Sequence, residues 1–264
     1  AAIAAVDPNM MDVDGRILDI GGLEGTTIFN GVGFLLGDLV GMQVQKSGRT
    51  TGLTTGTIGA VGAQITVNYG SGSGFFRDQI LVTGNKGAFI KSGDSGSVMV
   101  SVPSGGSLPQ AVGLLFAGTM NGIAIANRMD HVLDAFNASM VGCFDTFDSQ
   151  TGEGVDCTAT SNAAGGGETD DESGGPPPGR GNGRFNSGQA PFGLEIAAEA
   201  RDAHRGSLMD NPDVVGTGLS FDEEGEPVIQ VYTKGAKRSV DHPIPNQLDG
   251  IKVQVIVTGE FRAF

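Results

Sequence analysis

The residues best suited to chemistry lie in one short run, Ser92-Gly93-Asp94-Ser95-Gly96-Ser97. A serine hydroxyl is a poor nucleophile until a base takes its proton. A serine flanked by glycines can sit on a sharp turn with its side chain exposed. The same turn aims the backbone N–H groups of Gly93 and Ser95 at one point, where they can hold a developing oxyanion. Asp94 then turns inward, where only a hydrogen-bonded or paired carboxylate is tolerable. The plainer alternative is a Gly-Asp-Ser-Gly surface turn with no chemistry.

The elements that must position this run are short strands. Met42–Val44, Thr54–Ile58, Gln64–Asn68, Gln79–Val82, Val98–Val102 and Ala111–Phe116 read as six of them, several at the spacing typical of a barrel or sandwich. The serine run falls between the fourth and fifth. The segment Asn127–Phe136 then changes period, with Met129, Val132, Leu133 and Phe136 on one face of a terminal helix. A closed barrel also removes the sheet edges that so many short strands would expose.

Composition agrees with that architecture. Glycine supplies 45 of 264 residues, Trp is absent and charged residues are only 17%, while hydrophobics at 39% suffice for a core. Glycines among Val, Ile and Thr suit strands joined by tight turns. The balance of 16 basic against 30 acidic residues, a net charge of −14, argues against a nucleic-acid partner, which needs a basic surface. No run approaches ~18 apolar residues, so no membrane span is expected. The opening Ala-Ala-Ile-Ala-Ala-Val lacks the basic region and apolar length of a signal peptide.

The chain divides into three parts. Residues 1–142 form the strand-rich unit. Residues 143–190 hold Cys143, Cys157 and a Gly/Pro/Ser/acidic stretch that reads as a flexible linker. The two cysteines are a disulfide candidate, with two free thiols in a surface loop as the alternative; no further ligand cluster suggests zinc. Residues 191–264 regain a pattern: a helix ending before Asn211-Pro212, then strands at Val214–Phe221, Pro227–Tyr232 and Ile251–Val257. This is a small α+β module.

Two further runs flank the serine in order. Gln45-Lys46-Ser47-Gly48-Arg49-Thr50-Thr51-Gly52-Leu53-Thr54-Thr55-Gly56 precedes it, and Val112-Gly113-Leu114-Leu115-Phe116-Ala117-Gly118 follows it. Together the three resemble the C-terminal barrel of bacterial trypsin-like (chymotrypsin-fold) serine peptidases, over roughly residues 1–140. The resemblance implies a mainly β fold with a single six-stranded chymotrypsin-type β-barrel and C-terminal helix. It implies a serine endopeptidase acting on a peptide or protein, with Ser95 as nucleophile and the Gly93 and Ser95 amides as oxyanion hole. Asp94 would support the loop. Phe116, Ala117 and Gly118 would line the substrate groove, and Phe89, six residues before the serine, would stand at the base of the specificity pocket. Phe89 replaces the Asp of Lys/Arg-specific pockets, so the resemblance implies a preference for apolar or small side chains. No cofactor or metal is called for.

In that family the catalytic His and Asp precede all three motifs. The opening residues resemble the strand that directly follows the triad Asp, so the chain is expected to begin just after it and to take its base from an upstream barrel, in cis or in trans. The histidines present do not replace it. His131 reads as the polar face of the terminal helix, His204 as part of the tail helix, and His242 as a loop residue before a proline. Asp7, Asp12, Asp14 and Asp19 read as loop carboxylates. The tail, through Asn211–Gly218, Gly225–Ile229 and Thr258–Arg262, resembles the small domain that precedes the peptidase in some of these proteins. A non-catalytic peptide-binding or scaffold protein derived from a peptidase is the second function class. Asn137-Ala138-Ser139 as a glycosylation triplet and Thr169–Glu172 as a Ca²⁺ site are weaker signals, the latter lacking ligand spacing.

Overall fold

The computed structural model describes residues 15–30, 34–103, 107–142, 192–235 and 243–264. The candidate disulfide cysteines, the linker, His242, Asp7, Asp12 and Asp14 lie outside the described residues.

The fold is mainly β. After a two-residue hairpin, β1 (Arg16–Ile17) with β2 (Gly21–Gly22), come β3 (Gln43–Gly48), β4 (Gly52–Asn68), β5 (Ser73–Gly84), β6 (Val98–Ser101), β7 (Ala111–Gly118) and β8 (Ile123–Arg128). The last six close a ring in the order β3, β4, β5, β8, β7, β6 and back to β3, every pair antiparallel. Closure leaves none of these strands with a bare edge along its full length. Inward side chains fill the ring: Ile58, Ile80, Val82, Phe89, Met99 and Leu115 are all fully buried. Helix α1 (Met129–Phe136) follows β8 and stops where Asn137 adopts a left-handed backbone.

The ring contains six strands, though they are not the six that local pattern predicts. Thr54–Ile58 and Gln64–Asn68 belong to the single strand β4. The glycines between them sit in irregularities rather than a turn, with register shifts against β5 between Ile58 and Ala60, Ala60 and Ala63, and Ala63 and Ile65. Strand β8 was not among the expected strands. Its Ile123-Ala124-Ile125-Ala126 core is short, and the alanines dilute the strand preference of its two isoleucines. Pairing with β5 on one side and β7 on the other makes it a strand. Because Asn127 and Arg128 still belong to β8, the terminal helix starts at Met129 rather than Asn127.

The tail contributes α2 (Phe192–Ala203), α3 (Arg205–Met209), β9 (Val214–Phe221), β10 (Pro227–Thr233), β11 (Gln247–Leu248), β12 (Ile251–Val257) and β13 (Phe261–Ala263). The expected single helix is interrupted at His204, whose backbone leaves helical geometry (φ −101°, ψ 6°). The tail strands share the barrel's sheet. Strand β9 pairs antiparallel with β4, placing Leu219 opposite Val61 and Thr217 opposite Gln64. Polar contacts reinforce this seam: buried Arg201 donates to the Gly62 carbonyl, and Gln64 Nε2 donates to Asp202 Oδ1 at 2.7 Å. No helix among the described residues is long and apolar enough to cross a membrane.

Candidate active site

The serine run forms a turn between the β5 side of the barrel and β6, held from beneath by Asp94. The Asp94 side chain is fully buried, and its two oxygens are saturated. Oδ1 accepts the amides of Thr50 at 2.7 Å and Thr51 at 3.1 Å. Oδ2 accepts the Thr51 hydroxyl at 2.7 Å and the Lys91 amide at 2.9 Å. Lys46 Nζ, also fully buried, stands 3.6 Å from Oδ2 and donates to the Gly52 carbonyl at 2.9 Å and to the Thr51 hydroxyl. Burial alone would raise the Asp94 pKa. The Lys91 amide, Thr51 hydroxyl and Thr50 and Thr51 amides outweigh it and hold the carboxyl at about 2. Burial dominates at Lys46 and lowers its pKa, with Asp94 opposing.

Above this anchor the backbone is forced into an unusual path. Gly93 (φ +98°) and Gly96 (φ +90°) bracket Asp94 and Ser95 in conformations that residues with a Cβ rarely adopt. Further bonds tie the turn down: Ser97 Oγ donates to the Asp94 carbonyl at 2.6 Å, and the Thr50 hydroxyl donates to the Ser92 carbonyl at 2.8 Å. The turn also grips β7, with the Gly96 amide donating to the Leu115 carbonyl at 2.8 Å and the Leu115 amide to the Ser97 carbonyl at 3.1 Å. The Ser95 side chain is exposed. Among the described residues, no protein acceptor takes the Gly93 or Ser95 amide, and no hydrogen bond reaches the Ser95 hydroxyl.

The remaining expected residues are spread along β7 and the core. Phe89 is fully buried in the barrel core, and its carbonyl accepts the Thr54 hydroxyl at 2.8 Å. Phe116 packs at a tilt against Phe76, with ring centroids 5.0 Å apart and planes inclined by 45°. Ala117 and Gly118 pair with Ala263 and Arg262 of β13, so the chain itself lies along this stretch. Neither described imidazole is at Ser95. His131 Nδ1 is 3.6 Å from Asp78 Oδ2, and His204 Nε2 is 3.1 Å from Asp249 Oδ1. Among the described residues no group of three or more His, Cys, Asp or Glu is placed to hold a metal ion.

Lys46, Thr50 and Thr51 are the residues that sequence reasoning left without a role. They fall inside the Gln45–Gly56 run, and a buried-carboxylate requirement at Asp94 was the available signal: such a group needs donors and a counter-charge from a neighbouring segment.

A family model for the Nal1 C-terminal domain matches residues 6–141. The chain belongs to the Nal1 C-terminal domain family. A curated relative, Protein NARROW LEAF 1 of Oryza sativa subsp. japonica, is 34% identical over 117 residues, covering 40% of this chain and 20% of the relative. The chain thus spans about a fifth of that relative's length. Three solved structures are similar at low TM-score. They are a chymotrypsin of Cellulomonas bogoriensis (30% identity, TM-score 0.31, 39% of this chain and 51% of that one), protease A of Thermobifida fusca (29%, 0.30, 39% and 50%) and a glutamic acid specific serine protease (27%, 0.32, 46% and 54%). Bacterial chymotrypsin-like serine proteases therefore enter as partial structural neighbours, whereas the family reached by sequence is the Nal1 C-terminal domain, with a plant protein as its curated relative.

Proposed function

We propose that this Nal1 C-terminal domain is the serine-bearing, peptide-holding part of a serine endopeptidase, completed by an imidazole from outside the described residues. One observation carries the reading: an exposed Ser95 hydroxyl stands on a glycine-bracketed turn beside two backbone amides without protein acceptors. In this mechanism Ser95 Oγ attacks the peptide carbonyl carbon while the imidazole takes its proton. The carbonyl oxygen, now an oxyanion, accepts hydrogen bonds from the Gly93 and Ser95 amides. The imidazole then protonates the leaving amine, and water releases the acyl group by the reverse sequence.

The missing base decides the magnitude. Loss of such a histidine costs about 10⁶ in turnover, so the described residues by themselves would be silent in ordinary assays. The test is fluorophosphonate labelling of the full-length protein. Labelling at Ser95, abolished in Ser95→Ala, is the expected result. Absence of labelling in the full-length protein overturns the reading. A second reading, peptide binding without hydrolysis, is favoured by the pairing of both described imidazoles with carboxylates away from Ser95. It predicts peptide affinity unchanged by Ser95→Ala.

A further inference from the structure

One edge of β7 is covered by β8 from Gly113, opposite Arg128, to Gly118, opposite Ala124. The other edge is shared. Strand β6 takes it as far as Leu114, and the serine turn binds Leu115 through both its amide and its carbonyl. Beyond Leu115 this edge is taken by residues 262–264. Arg262 pairs antiparallel with Gly118, Ala263 with Ala117, and the Phe264 amide donates to the Phe116 carbonyl at 3.3 Å. An irregularity makes this possible. The register on β8 shifts between Leu115 and Ala117, so Phe116 has no register partner there and its carbonyl serves this segment instead.

We infer that residues 262–264 are a built-in occupant of the peptide groove of the serine site, seated antiparallel on β7 with the Phe264 ring beside Gly118, and that an incoming peptide binds by displacing them. This deepens the reading given above and rests on it. The direction of the strand brings Phe264 nearest the serine turn, one β7 residue away from Leu115. Recognition along β7 is through backbone, as when a strand is added to a sheet edge, and so admits any extended sequence. The side-chain preference comes from Gly118. A Cβ there would lie 2.7 Å from the Ile123 carbonyl oxygen and 2.9 Å from Phe264 Cε2, so the glycine leaves room both for β8 and for the ring. Phe261 is different in kind. It is fully buried and meets Tyr232 edge to face at 5.8 Å, which anchors the segment in the core and leaves residues 262–264 as the exchangeable part.

The test uses the full chain and a fluorescently labelled peptide of the sequence Gly-Glu-Phe-Arg-Ala-Phe. Phe264→Pro removes both the ring and the donor to the Phe116 carbonyl. It should bind the peptide about tenfold more tightly than the unmodified chain, the factor expected from one backbone hydrogen bond and a partly buried ring. Replacing the peptide's last Phe by Ala should cost a similar factor. A folded Phe264→Pro chain that binds no better than the original overturns the inference. Should that variant fail to fold, Phe264→Ala with amide hydrogen exchange serves instead. Exchange at Gly118, whose amide faces Arg262, should quicken at least severalfold, and unchanged exchange there overturns the inference. Fluorophosphonate labelling of the full-length protein separates the two readings. Peptide binding without Ser95 labelling keeps the groove and sinks the peptidase, whereas labelling without peptide binding does the reverse.

Discussion

The serine turn and the segment Arg262–Phe264 bind the same edge of β7 next to one another, by opposite means. The turn is fastened by a buried carboxylate whose oxygens receive four hydrogen bonds, with a buried ammonium 3.6 Å away. The segment is held by a two-residue register on β7, the pairing of Arg262 with Asn68 of β4, a backbone bond of 3.3 Å at Phe264 and a partly buried ring. The first arrangement cannot loosen without leaving charges and donors unsatisfied in the interior. The second can be exchanged for any strand of similar shape. A site that performs chemistry on peptides needs both: a fixed reacting group and a replaceable neighbour.

The strongest way to break this contrast is Asp94→Ala. It strands the buried Lys46 ammonium and removes the acceptor of the Thr50, Thr51 and Lys91 amides. Breaking a buried pair from one side costs about 3–5 kcal/mol. A urea unfolding series should show a loss of that size. A loss below about 1 kcal/mol, no more than a typical single mutation costs, would mean that the carboxylate does not fasten the turn.

Acid probes the same anchor more gently. The Asp94 pKa is about 2 in the folded chain against an ordinary value of 3.8. Because the folded value is the lower one, the stabilisation is complete above pH ~4 and fades as pH falls toward 2. The shift corresponds to a contribution on the order of 2 kcal/mol. Stability measured at pH 5 and pH 2.5 should differ through this group, and Asp94→Asn should lack that part of the difference. Equal acid sensitivity in both proteins would remove Asp94 from the explanation.

The parts legible from sequence were those governed by local rules. The glycine-bracketed serine, the inward Asp94, the strand expected at Val98–Val102 (observed Val98–Ser101) and the strand Val214–Phe221 follow from turn chemistry and alternation. What escaped depends on partners distant in sequence. Strand β8 exists because β5 and β7 flank it, and β4 runs through its glycines because β5 and β9 pair with it on either side. Lys46 looks like a solvent-facing lysine until Asp94 arrives from 48 positions later to receive it. The covering of Phe116–Gly118 by residues 262–264 was equally hidden, since a three-residue strand carries no periodic signal.

The smallest effect belongs to the residue with the greatest chemical interest. Ser95 is exposed, and among the described residues its hydroxyl takes part in no hydrogen bond. Exposed substitutions away from caps, networks and strained backbone fall within about 0.5 kcal/mol of neutral. The strain of this turn resides in Gly93 and Gly96, not in Ser95, which is absent from the residues with positive φ. Ser95→Ala should therefore melt within about a degree or two of the unmodified chain, while Asp94→Ala, one position earlier, melts far lower. A large destabilisation by Ser95→Ala would show that its hydroxyl holds the turn together. The serine would then belong with Asp94 as architecture, and its claim to be the reacting group would lose its footing.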